Sequence, residues 1–540
     1  MNSRVLRSAA LALVLAGCSS QPSAPAKPLV LSPDAVRLAA QATFGPTAAV
    51  VGDIQQRGAA AWIDAQLQLP PTDLGSYPVI ADDVNAVCPT GSPASCYRDN
   101  FTPFLSEAAF FRNAISGADQ LRQRVAFALS QVVVVSGAEV RPNYGIAEYE
   151  KLLLRDAFGT YRQLLEDVTL SPAMGRYLNM VNNDKPNLPR GTEPNENYAR
   201  EVMQLFSIGL VQLRPDGSTV TDSSGAPVPT YDQNAVIGLA HVLTGWTYPL
   251  QAGATQRTHN PPYYLGSMVV VPSNHDTAAK TILGGTQIPA GQTPAADLAQ
   301  ALDTIAGHPN VGPFIGKQLI QALVTANPNP EYVGRISAVW ADDGHGVRGN
   351  LGAVVRAILL DPEARGDVKA DPSYGRVKDP VLLLTGPARA LGVTTDGVYF
   401  ARASASLEQP PYLSPTVFNF YPPDYTPESK LVSPASALLD SASVFNRANV
   451  FVQLLFSPPG PDKTVTGATG TQITLGDLAP FGNDSGALVD SIDALLFHGT
   501  LSAAQRLAVL DAVNAQPSGP SWVRAAAYAV LTSPHYQVER

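Results

Sequence analysis

The stretch Asn195-Glu-Asn-Tyr-Ala-Arg-Glu-Val-Met-Gln-Leu-Phe-Ser-Ile-Gly209 has the pattern of an amphipathic helix. Its first residue is of a type that caps helix N-termini, and its last is of the type that ends helices. One face is apolar and predicts contact with a core, through Tyr198, Val202, Leu205 and Phe206. The other face is polar and consists of Asn197, Arg200, Glu201 and Gln204. The polar face is either a solvated surface or part of a functional site.

Length and composition indicate a large exported-type globular protein without a nucleic-acid partner. The chain has 540 residues, enough for two to four domains or for one large body. Hydrophobic residues make up 45% and charged residues 15%, so the chain can build a core. The formal net charge is −9 and no basic stripe occurs, which argues against nucleic-acid binding. The 47 prolines fall mostly between apolar periodic segments, as in helices joined by long ordered loops.

The N-terminus has the features of an export signal. Arg4 and Arg7 form a positive n-region before a short apolar core at residues 9–16. The sequence Leu-Ala-Gly-Cys that ends at Cys18 resembles the lipobox of bacterial lipoproteins, in which the cysteine is lipidated. The alternative is an ordinary secretory peptide that has a cysteine here by chance. We expect a signal peptide at residues 1–17 and a membrane contact through lipid on Cys18.

The segments after the signal predict an anchored protein and not a membrane-spanning one. Ser19 follows the cysteine, and this resembles an outer-membrane address. Residues 18–31 are rich in Ser, Pro, Ala and Gln, as in a flexible tether. No later segment has the ~18 uninterrupted apolar residues that a spanning helix needs. We predict an outer-membrane lipoprotein of the cell envelope with a mainly helical domain at residues 32–540.

The other two cysteines, Cys88 and Cys96, bracket a short loop that contains Pro and Gly. Because an exported protein meets an oxidising compartment, we expect a local disulfide between them. Two cysteines without a neighbouring histidine make a poor zinc site, and the seven histidines are scattered. The sequence therefore predicts no metal ligands, and the cofactor stays unknown.

The remaining periodicity predicts a mainly α fold: a large multi-helix single body with long ordered loops and a small β-hairpin. Residues 211–213 and 228–231 are the expected strands of the hairpin, with a turn at residues 215–218. Asp216 and Asp222 could hold calcium there, but their spacing departs from the EF-hand loop and favours a plain turn. Ser32-Pro33-Asp34 is expected to open the first helix, and Asp232 is expected to cap the helix that follows the hairpin.

Nine blocks of the sequence, in order, resemble a bacterial family catalogued as domain of unknown function 1800. They cover most of the chain from about Asp34 onward: residues 161–169, 172–178, 195–209, 243–246, 275–284, 308–309, 314–323, 361–363 and 414–420. The resemblance implies export but no established activity. It also implies a possible partner, a second exported protein related to alkaline phosphatases and sulfatases. Many members have an acid and an arginine in the helix before Thr-Gly-Trp, where this chain has Ala235 and His241.

Familiar catalytic motifs are missing from the sequence. There is neither a His-Glu-x-x-His zinc helix nor a Gly-x-Ser-x-Gly nucleophile elbow. The segment from Gly312 to Lys317 superficially suggests a phosphate loop, but it has one residue too few between its glycines. Gln318 also replaces the hydroxyl that would bind magnesium. We interpret this segment as the start of a helix.

The candidate site residues are therefore polar residues on or beside apolar elements. Glu201 is a candidate general base, and His275 with Asp276 is a candidate acid–base pair. Candidate binding residues, including Arg200 for an anionic group and Trp246 for stacking, are Arg162, Asn197, Arg200, Trp246 and Lys280. The competing interpretation is that these residues form internal pairs that fix helices together.

Two functions remain open from the sequence. The first is an exported acid–base hydrolase or lyase that acts on an envelope polymer. The second is a non-catalytic lipoprotein that binds a partner and scaffolds envelope assembly or export. We refer to the predicted helix at residues 195–209 as the central helix. We hypothesise that its polar face and the loop that carries His275 meet in one enclosed site. A deep pocket would favour the enzyme, and a broad exposed apolar patch would favour the scaffold.

Overall fold

Helices form most of the first half of this computed structural model, which describes residues 27–366, 369, 371–428 and 430–540. Cys18 and the predicted signal peptide lie outside the described residues. Pro33 at the first helical position and Asp232, whose side chain accepts from Ala235 N, begin their helices as the sequence predicts. The helices are α1 (Pro33–Ala42), α2 (Ala48–Arg57), α3 (Ala59–Leu67), α4 (Val84–Val87), α5 (Ala94–Phe101), α6 (Phe104–Ser116), α7 (Gln120–Ser130), α8 (Asn143–Asp156), α9 (Tyr161–Leu170), α10 (Pro172–Tyr177), α11 (Asn197–Gln204) and α12 (Gln233–Val242).

The second half continues with helices and adds four antiparallel pairs of very short strands. The helices are α13 (Pro294–Gly307), α14 (Val311–Leu323), α15 (Pro330–Ala341), α16 (Leu351–Leu360), α17 (Pro380–Ala390), α18 (Val398–Ser406), α19 (Ser441–Phe456), α20 (Ser485–Phe497), α21 (Ala503–Asn514) and α22 (Pro520–Leu531). The paired strands are β1 (Trp246–Thr247) with β2 (Val269–Val270), β3 (Lys280–Thr281) with β4 (Gln287–Ile288), β5 (Arg376–Val377) with β8 (Val538–Glu539), and β6 (Val393–Thr395) with β7 (Thr471–Ile473). The protein is therefore mainly α, as predicted.

One continuous cluster of buried apolar residues joins the two ends of the described chain. Val36 in α1, Ile492 in α20 and Val530 in α22 all belong to it and are at most 1% exposed. The partly buried Leu29 and Leu31, within the predicted tether, also pack against this cluster. Among the described residues, every helix is too short or too polar to cross a bilayer.

The central helix, α11, is shorter than the sequence predicts: it begins at Asn197 and ends at Gln204, five residues before Gly209. Asn195 lies before the helix, where its Oδ1 accepts a hydrogen bond from Asn197 N at 2.9 Å. After Gln204 the chain leaves the helix in a wide turn, in which Gly209 N donates to Met203 O. Gly209 has φ +71°, and an added Cβ would lie 2.8 Å from the Phe314 ring, so this position requires glycine.

In place of the predicted two-stranded hairpin, the chain runs back and forth in three short extended segments. Isolated β-bridges connect these segments. Val211 pairs with Pro229, Leu213 with Thr219, and Thr221 with Pro227. The turn at residues 215–218 therefore joins the first and second segments, and a second turn at residues 222–226 joins the second and third. Asp216 and Asp222 each accept hydrogen bonds from residues of their own turns, which are plain turns.

The loop between α4 and α5 carries the disulfide that the sequence predicts. Cys88 and Cys96 are bonded to each other, with their Cα atoms 5.8 Å apart. The loop lies at the surface, because Pro89, Thr90 and Ser95 are exposed or nearly so. The bond therefore fixes a local feature and lies apart from the core.

Candidate functional site

The polar face of α11 divides into two environments. Arg200 Nη2 donates to Glu196 Oε2, just before α11, at 3.0 Å. It also donates to Gln233 Oε1, at the start of α12, at 3.2 Å. Glu196 Oε2 also accepts from Gln233 Nε2 at 2.8 Å. The Arg200 side chain is 40% exposed, so this network is a partly solvated link between two helices.

Glu201 lies in a drier environment than Arg200. Its Oε2 is shielded from solvent and has no hydrogen-bond partner among the described residues. Burial raises the pKa of Glu201, and the Arg200 charge opposes that shift only in part. Its carboxyl is close enough to Tyr177 and Tyr231 to contribute to the raised pKa of each phenol. Burial therefore gives Glu201 a higher pKa than a solvated glutamate has.

His275 and Lys280 belong to a separate, fully buried network centred on Asp297. Lys280 Nζ lies 2.7 Å from Asp297 Oδ2, and His275 Nε2 lies 3.1 Å from the same oxygen. His275 Nδ1 lies 2.9 Å from the carbonyl oxygen of Thr244, which can only accept, so Nδ1 is the donor. Lys280 also donates to two backbone carbonyl oxygens. The side chains of His275 and Asp297 are 0% exposed, so the network cross-links the β3 segment to α13.

Asp276 points away from that network and pairs with His241 at the end of α12. Burial alone would raise the pKa of Asp276, but hydrogen bonds from Ala278 N and His241, together with the His241 charge, lower it overall. His241 stands where the resemblance places an arginine. The contact between α12 and the loop is therefore made here by an imidazole.

Arg162 and Trp246 also have structural surroundings. Arg162 pairs with Glu166 Oε2 on its own helix at 2.7 Å and joins α9 to α13 through Asp303 Oδ1 at 2.6 Å. Trp246 lies in β1 and is only 5% exposed, so its ring faces are covered by protein. Gly245 before it has φ +85°, and an added Cβ would lie 2.9 Å from the His275 side chain. Glycine thus allows the β1 segment and the His275 loop to approach closely.

The described contacts therefore do not join α11 and the His275 loop into the single enclosed site that the sequence suggested. The predicted pairing of His275 with Asp276 is wrong: Asp297, which was not among the predicted residues, is the acid that contacts both His275 and Lys280, whereas Asp276 pairs with His241. The only sequence signal for it is an acid in the first turn of a helix, a position usually explained by the helix dipole.

A polar groove lies at the N-terminal end of α11. Its volume is about 380 Å³. We call it the asparagine groove, since five of its nine lining residues are asparagines: Arg176, Asn179, Val181, Asn182, Asn183, Asn195, Tyr248, Asn260 and Pro262. Asn179 and Asn182 have φ values of +61° and +60°, a conformation that asparagine tolerates better than most residues.

One predicted site residue, Asn197, contacts the asparagine groove, and a second, Glu201, lies one helical turn from it. Asn197 Nδ2 donates to the lining residue Asn179 at 3.2 Å. Glu201 follows Asn197 by one helical turn, a rise of about 5.4 Å, on the same face of α11. Asn197 thus lies at the edge of the groove, and Glu201 lies one helical turn farther along α11.

A His–Asp pair that the sequence analysis missed lies beside the asparagine groove. His259 Nε2 lies 3.1 Å from Asp184 Oδ2, and both side chains are 47% exposed. Each residue is the chain neighbour of a lining residue, Asn260 and Asn183 respectively. They stand 75 positions apart in two loops, so no local pattern in the sequence connects them.

The groove has the chemistry to bind a neutral, polar chain. Amide side chains both donate and accept hydrogen bonds, which suits a ligand rich in hydroxyl and amide groups. Arg176 and Asn179 are exposed at the rim, whereas Tyr248 and Asn260 are buried below it. Within the described part of the chain, no three His, Cys, Asp or Glu residues are grouped so that they could hold a metal ion.

Comparison with known proteins gives a family and no activity. A family model described as "Protein of unknown function (DUF1800)" matches residues 37–538. No curated protein and no solved structure matches the chain.

Proposed function

Since the chain belongs to the DUF1800 family, whose description states no activity, we propose a function from its own residues: a cell-envelope lipoprotein that acts on an envelope polymer as an acid–base hydrolase or lyase. The polymer would bind in the asparagine groove, and Glu201 would transfer the proton. The observation that supports this most is Glu201 itself, a carboxyl with a raised pKa and one unpartnered oxygen, one helical turn from the groove.

In the hydrolytic form of the proposal, Glu201 donates its proton to the oxygen that leaves the polymer as the bond to carbon breaks. Water adds hydroxide to that carbon and returns a proton to the carboxylate, so the residue ends as it began. Amides of the groove, such as Asn179, would orient hydroxyl groups of the chain. His259 with Asp184, an exposed acid–base pair beside the groove, is the candidate to accept that proton from the water and relay it to the Glu201 carboxylate.

The test compares Glu201→Gln with Glu196→Gln, which lies on the same segment in a solvated network. Both proteins are incubated with envelope polysaccharide fractions, and the release of soluble fragments is measured. We expect Glu201→Gln to lose activity by roughly 10²–10⁴-fold, because positioned acid–base groups contribute that much. Glu196→Gln should keep activity within a few fold. Full activity in Glu201→Gln, or no release by the wild-type protein, would contradict the enzymatic proposal.

Binding to the groove is tested apart from catalysis. Asn179→Asp replaces a rim amide by a carboxylate and should tolerate the positive φ at this position. We expect it to weaken retention of the protein on immobilised envelope polymer, while its melting temperature changes little. Equal retention of variant and wild type would exclude the groove as the binding surface.

The non-catalytic alternative, a scaffold lipoprotein, is favoured by the outer face of α19. This face exposes large apolar side chains: Val444 at 58%, Phe445 at 72%, Val452 at 42% and Phe456 at 54%. Such a stripe on a helix is typical of a partner-binding surface. The partner proposed from the family resemblance is the exported protein related to alkaline phosphatases and sulfatases.

That alternative predicts that the double variant Phe445→Ser with Phe456→Ser loses binding to the purified partner. Phe418→Ser is the control, because Phe418 is exposed at 44% and lies outside α19. Surface plasmon resonance would measure both. Binding that is unchanged in the double variant, or lost equally in the control, would argue against α19 as the docking surface.

A further inference from the structure

A second cavity, unrelated to the asparagine groove, lies between α7, α14, β5 and the segment that follows α18. Its volume is about 70 Å³, and its lining includes Gln131, Ala322, Arg376, Asn419 and Tyr421. Gln131 and Ala322 are only half-buried, so the cavity has an edge toward solvent. It is large enough for a few waters or for one small oxyanion.

Three buried arginines surround this cavity and its wall. Arg124 is 0% exposed, Arg447 is 3% and Arg376 is 9%. Arg376 lines the cavity directly. Arg124 donates one bond to the carbonyl of Ala322, a lining residue. Arg447 donates to Gln537 and is close enough to Asp379, another lining residue, for their charges to interact.

The hydrogen bonds around the cavity leave a surplus of donors. Arg376 donates from Nη2 to Glu539 Oε2 at 2.8 Å, and Asn419 Oδ1 accepts from Ser414. The following nitrogen atoms have no partner among the described residues: Arg124 Nε and Nη1, Arg376 Nε, Arg447 Nε and Nη2, and Asn419 Nδ2. The one comparable acceptor is Glu539 Oε1. Buried donors are normally satisfied, so this set is suited to an acceptor-rich group.

The charges around the cavity, like the surplus of hydrogen-bond donors, favour an anion. The two carboxylates near the three guanidinium groups are Asp379 and Glu539. The charge of Arg376 lowers the pKa of Arg124 and the charges of both carboxylates raise it, while Asp379 also acts on Arg447. Burial lowers the pKa of Arg124 to about 10, so it keeps its charge at neutral pH. Burial also holds the pKa of Tyr421 well above its ordinary value, and its hydroxyl has acceptors in Gln131 Oε1 and Asp379 Oδ2, so it adds no free donor. One positive charge remains uncompensated within this group.

We propose that this cavity binds a small oxyanion group, either a free tetrahedral anion or the carboxylate of a larger molecule at the solvent edge. Arg376 and Asn419 would contact the anion, and Arg124 would add charge from the wall. Guanidinium groups match the geometry of such oxygens. This proposal does not depend on catalysis by Glu201.

The first test measures binding by calorimetry and thermal shift with sodium sulfate, phosphate and acetate, at constant ionic strength set with sodium chloride. Arg376→Lys keeps the charge but loses the planar donors, and we expect at least a tenfold weaker affinity. Arg389→Lys is the matched control: Arg389 is also 9% exposed, but its guanidinium donates to the carbonyls of Gly45, Ala114 and Ile115. It should lose melting temperature without losing anion affinity.

Sulfate raises melting temperatures non-specifically, so only saturable binding supports the proposal. Saturation with sulfate or phosphate would identify a tetrahedral anion, and saturation with acetate alone would identify a carboxylate. A linear rise that is equal in all variants would overturn the proposal. If Arg376→Lys does not fold, wild-type crystals soaked in selenate decide the question. An anomalous peak beside Arg376 is expected, and ordered water alone in the cavity would refute anion binding.

Discussion

The buried ionisable residues of this protein differ in how many ion-pair and hydrogen-bond partners they have. One carboxylate oxygen of Asp297 lies within hydrogen-bond distance of both Lys280 Nζ and His275 Nε2. All three side chains lie in the interior. Such a network is stable only while every member is present, because an ion left alone in the interior loses its hydration without compensation. At this scale His275 and Lys280 belong to the structure of the loop and not to a solvent-accessible site.

Replacement of Asp297 by Asn should therefore destabilise the protein strongly. We expect a loss of about 3–5 kcal/mol in the free energy of unfolding, because Lys280 stays buried without a counter-ion. Asp303→Asn on the same helix, whose carboxylate is 69% exposed, should cost only about 0–1 kcal/mol. Urea denaturation measures both. Equal losses in the two variants would show that the buried network contributes no special stability.

Two buried glutamates, Glu107 on α6 and Glu150 on α8, have no such partners. Glu107 Oε1 has no hydrogen-bond partner among the described residues. Burial raises the pKa of each carboxyl from 4.5 to about 8. The folded protein thus holds these protons to a higher pH than the unfolded chain does. The free energy of unfolding should fall as pH rises from about 4.5 to about 8.

Glu150→Gln should remove part of that pH dependence. Gln cannot ionise, so at pH 9 the variant should be more stable than the wild type by about 2–4 kcal/mol. Near pH 4 the two proteins should differ little. Glu148→Gln, at a half-exposed position of the same helix, should behave as the wild type at both pH values. Denaturation curves at pH 4, 7 and 9 provide the measurement, and parallel pH profiles for Glu150→Gln and wild type would contradict the assignment.

At the scale of elements, ion pairs and tight turns hold α11 and its neighbours, whereas a covalent bond holds the loop between α4 and α5. Residues 88–96 are exposed or half-buried, and the disulfide closes the loop that they form. A disulfide stabilises mainly by restricting the unfolded chain, so its effect depends on the length of the loop that it closes.

The double variant Cys88→Ser with Cys96→Ser should lose about 2–3 kcal/mol and still fold. Limited proteolysis should cut the variant first within residues 84–101, since only this loop loses its restraint. Urea denaturation and mass spectrometry of the fragments provide the readouts, with reduced wild-type protein as the matched control. A variant that fails to fold would mean that the bond stabilises more than its own loop.

At the scale of the whole molecule, segments far apart in sequence close the body. Strand β8 pairs with β5, so that Arg376 meets Glu539 across 163 positions. At the other end of the described chain, Leu29 N donates to Ser491 on α20. The described N-terminal segment is thus fixed to the body, and any lipid on Cys18 would be separated from it by only about ten residues.

The predicted lipid anchor is tested by Cys18→Ala. We expect the parent protein in the membrane fraction and the variant in the soluble fraction, because acyl chains provide the membrane affinity and each buried CH₂ contributes ~0.8 kcal/mol. Cys88→Ser with Cys96→Ser should remain with the membrane and is the control for loss of cysteine. A Cys18→Ala variant that sediments with membranes as the parent does would exclude the lipid anchor.

Much of the local structure of this protein follows from short-range patterns in its sequence. Each of the local features depends on residues that are neighbours in the chain. These features are the helix starts at Pro33 and Asp232, the chain reversal at Gly209, the turns at Asp216 and Asp222, and the short-loop disulfide. Backbone hydrogen bonds in helices and turns close within a few residues, so the residues that decide them stand together in the sequence. The family, too, was visible in ordered local blocks.

Which polar residues share a site, by contrast, depends on how distant segments pack together. Asp297 meets Lys280, His259 meets Asp184, and the arginines around the second cavity come from three distant segments. The charged and amide residues of α11 were recognisable, but the division between a solvated Arg200 and a half-buried Glu201 was not. Burial and pairing of a charge depend on which distant segment covers it, and the periodicity of one helix does not contain that information.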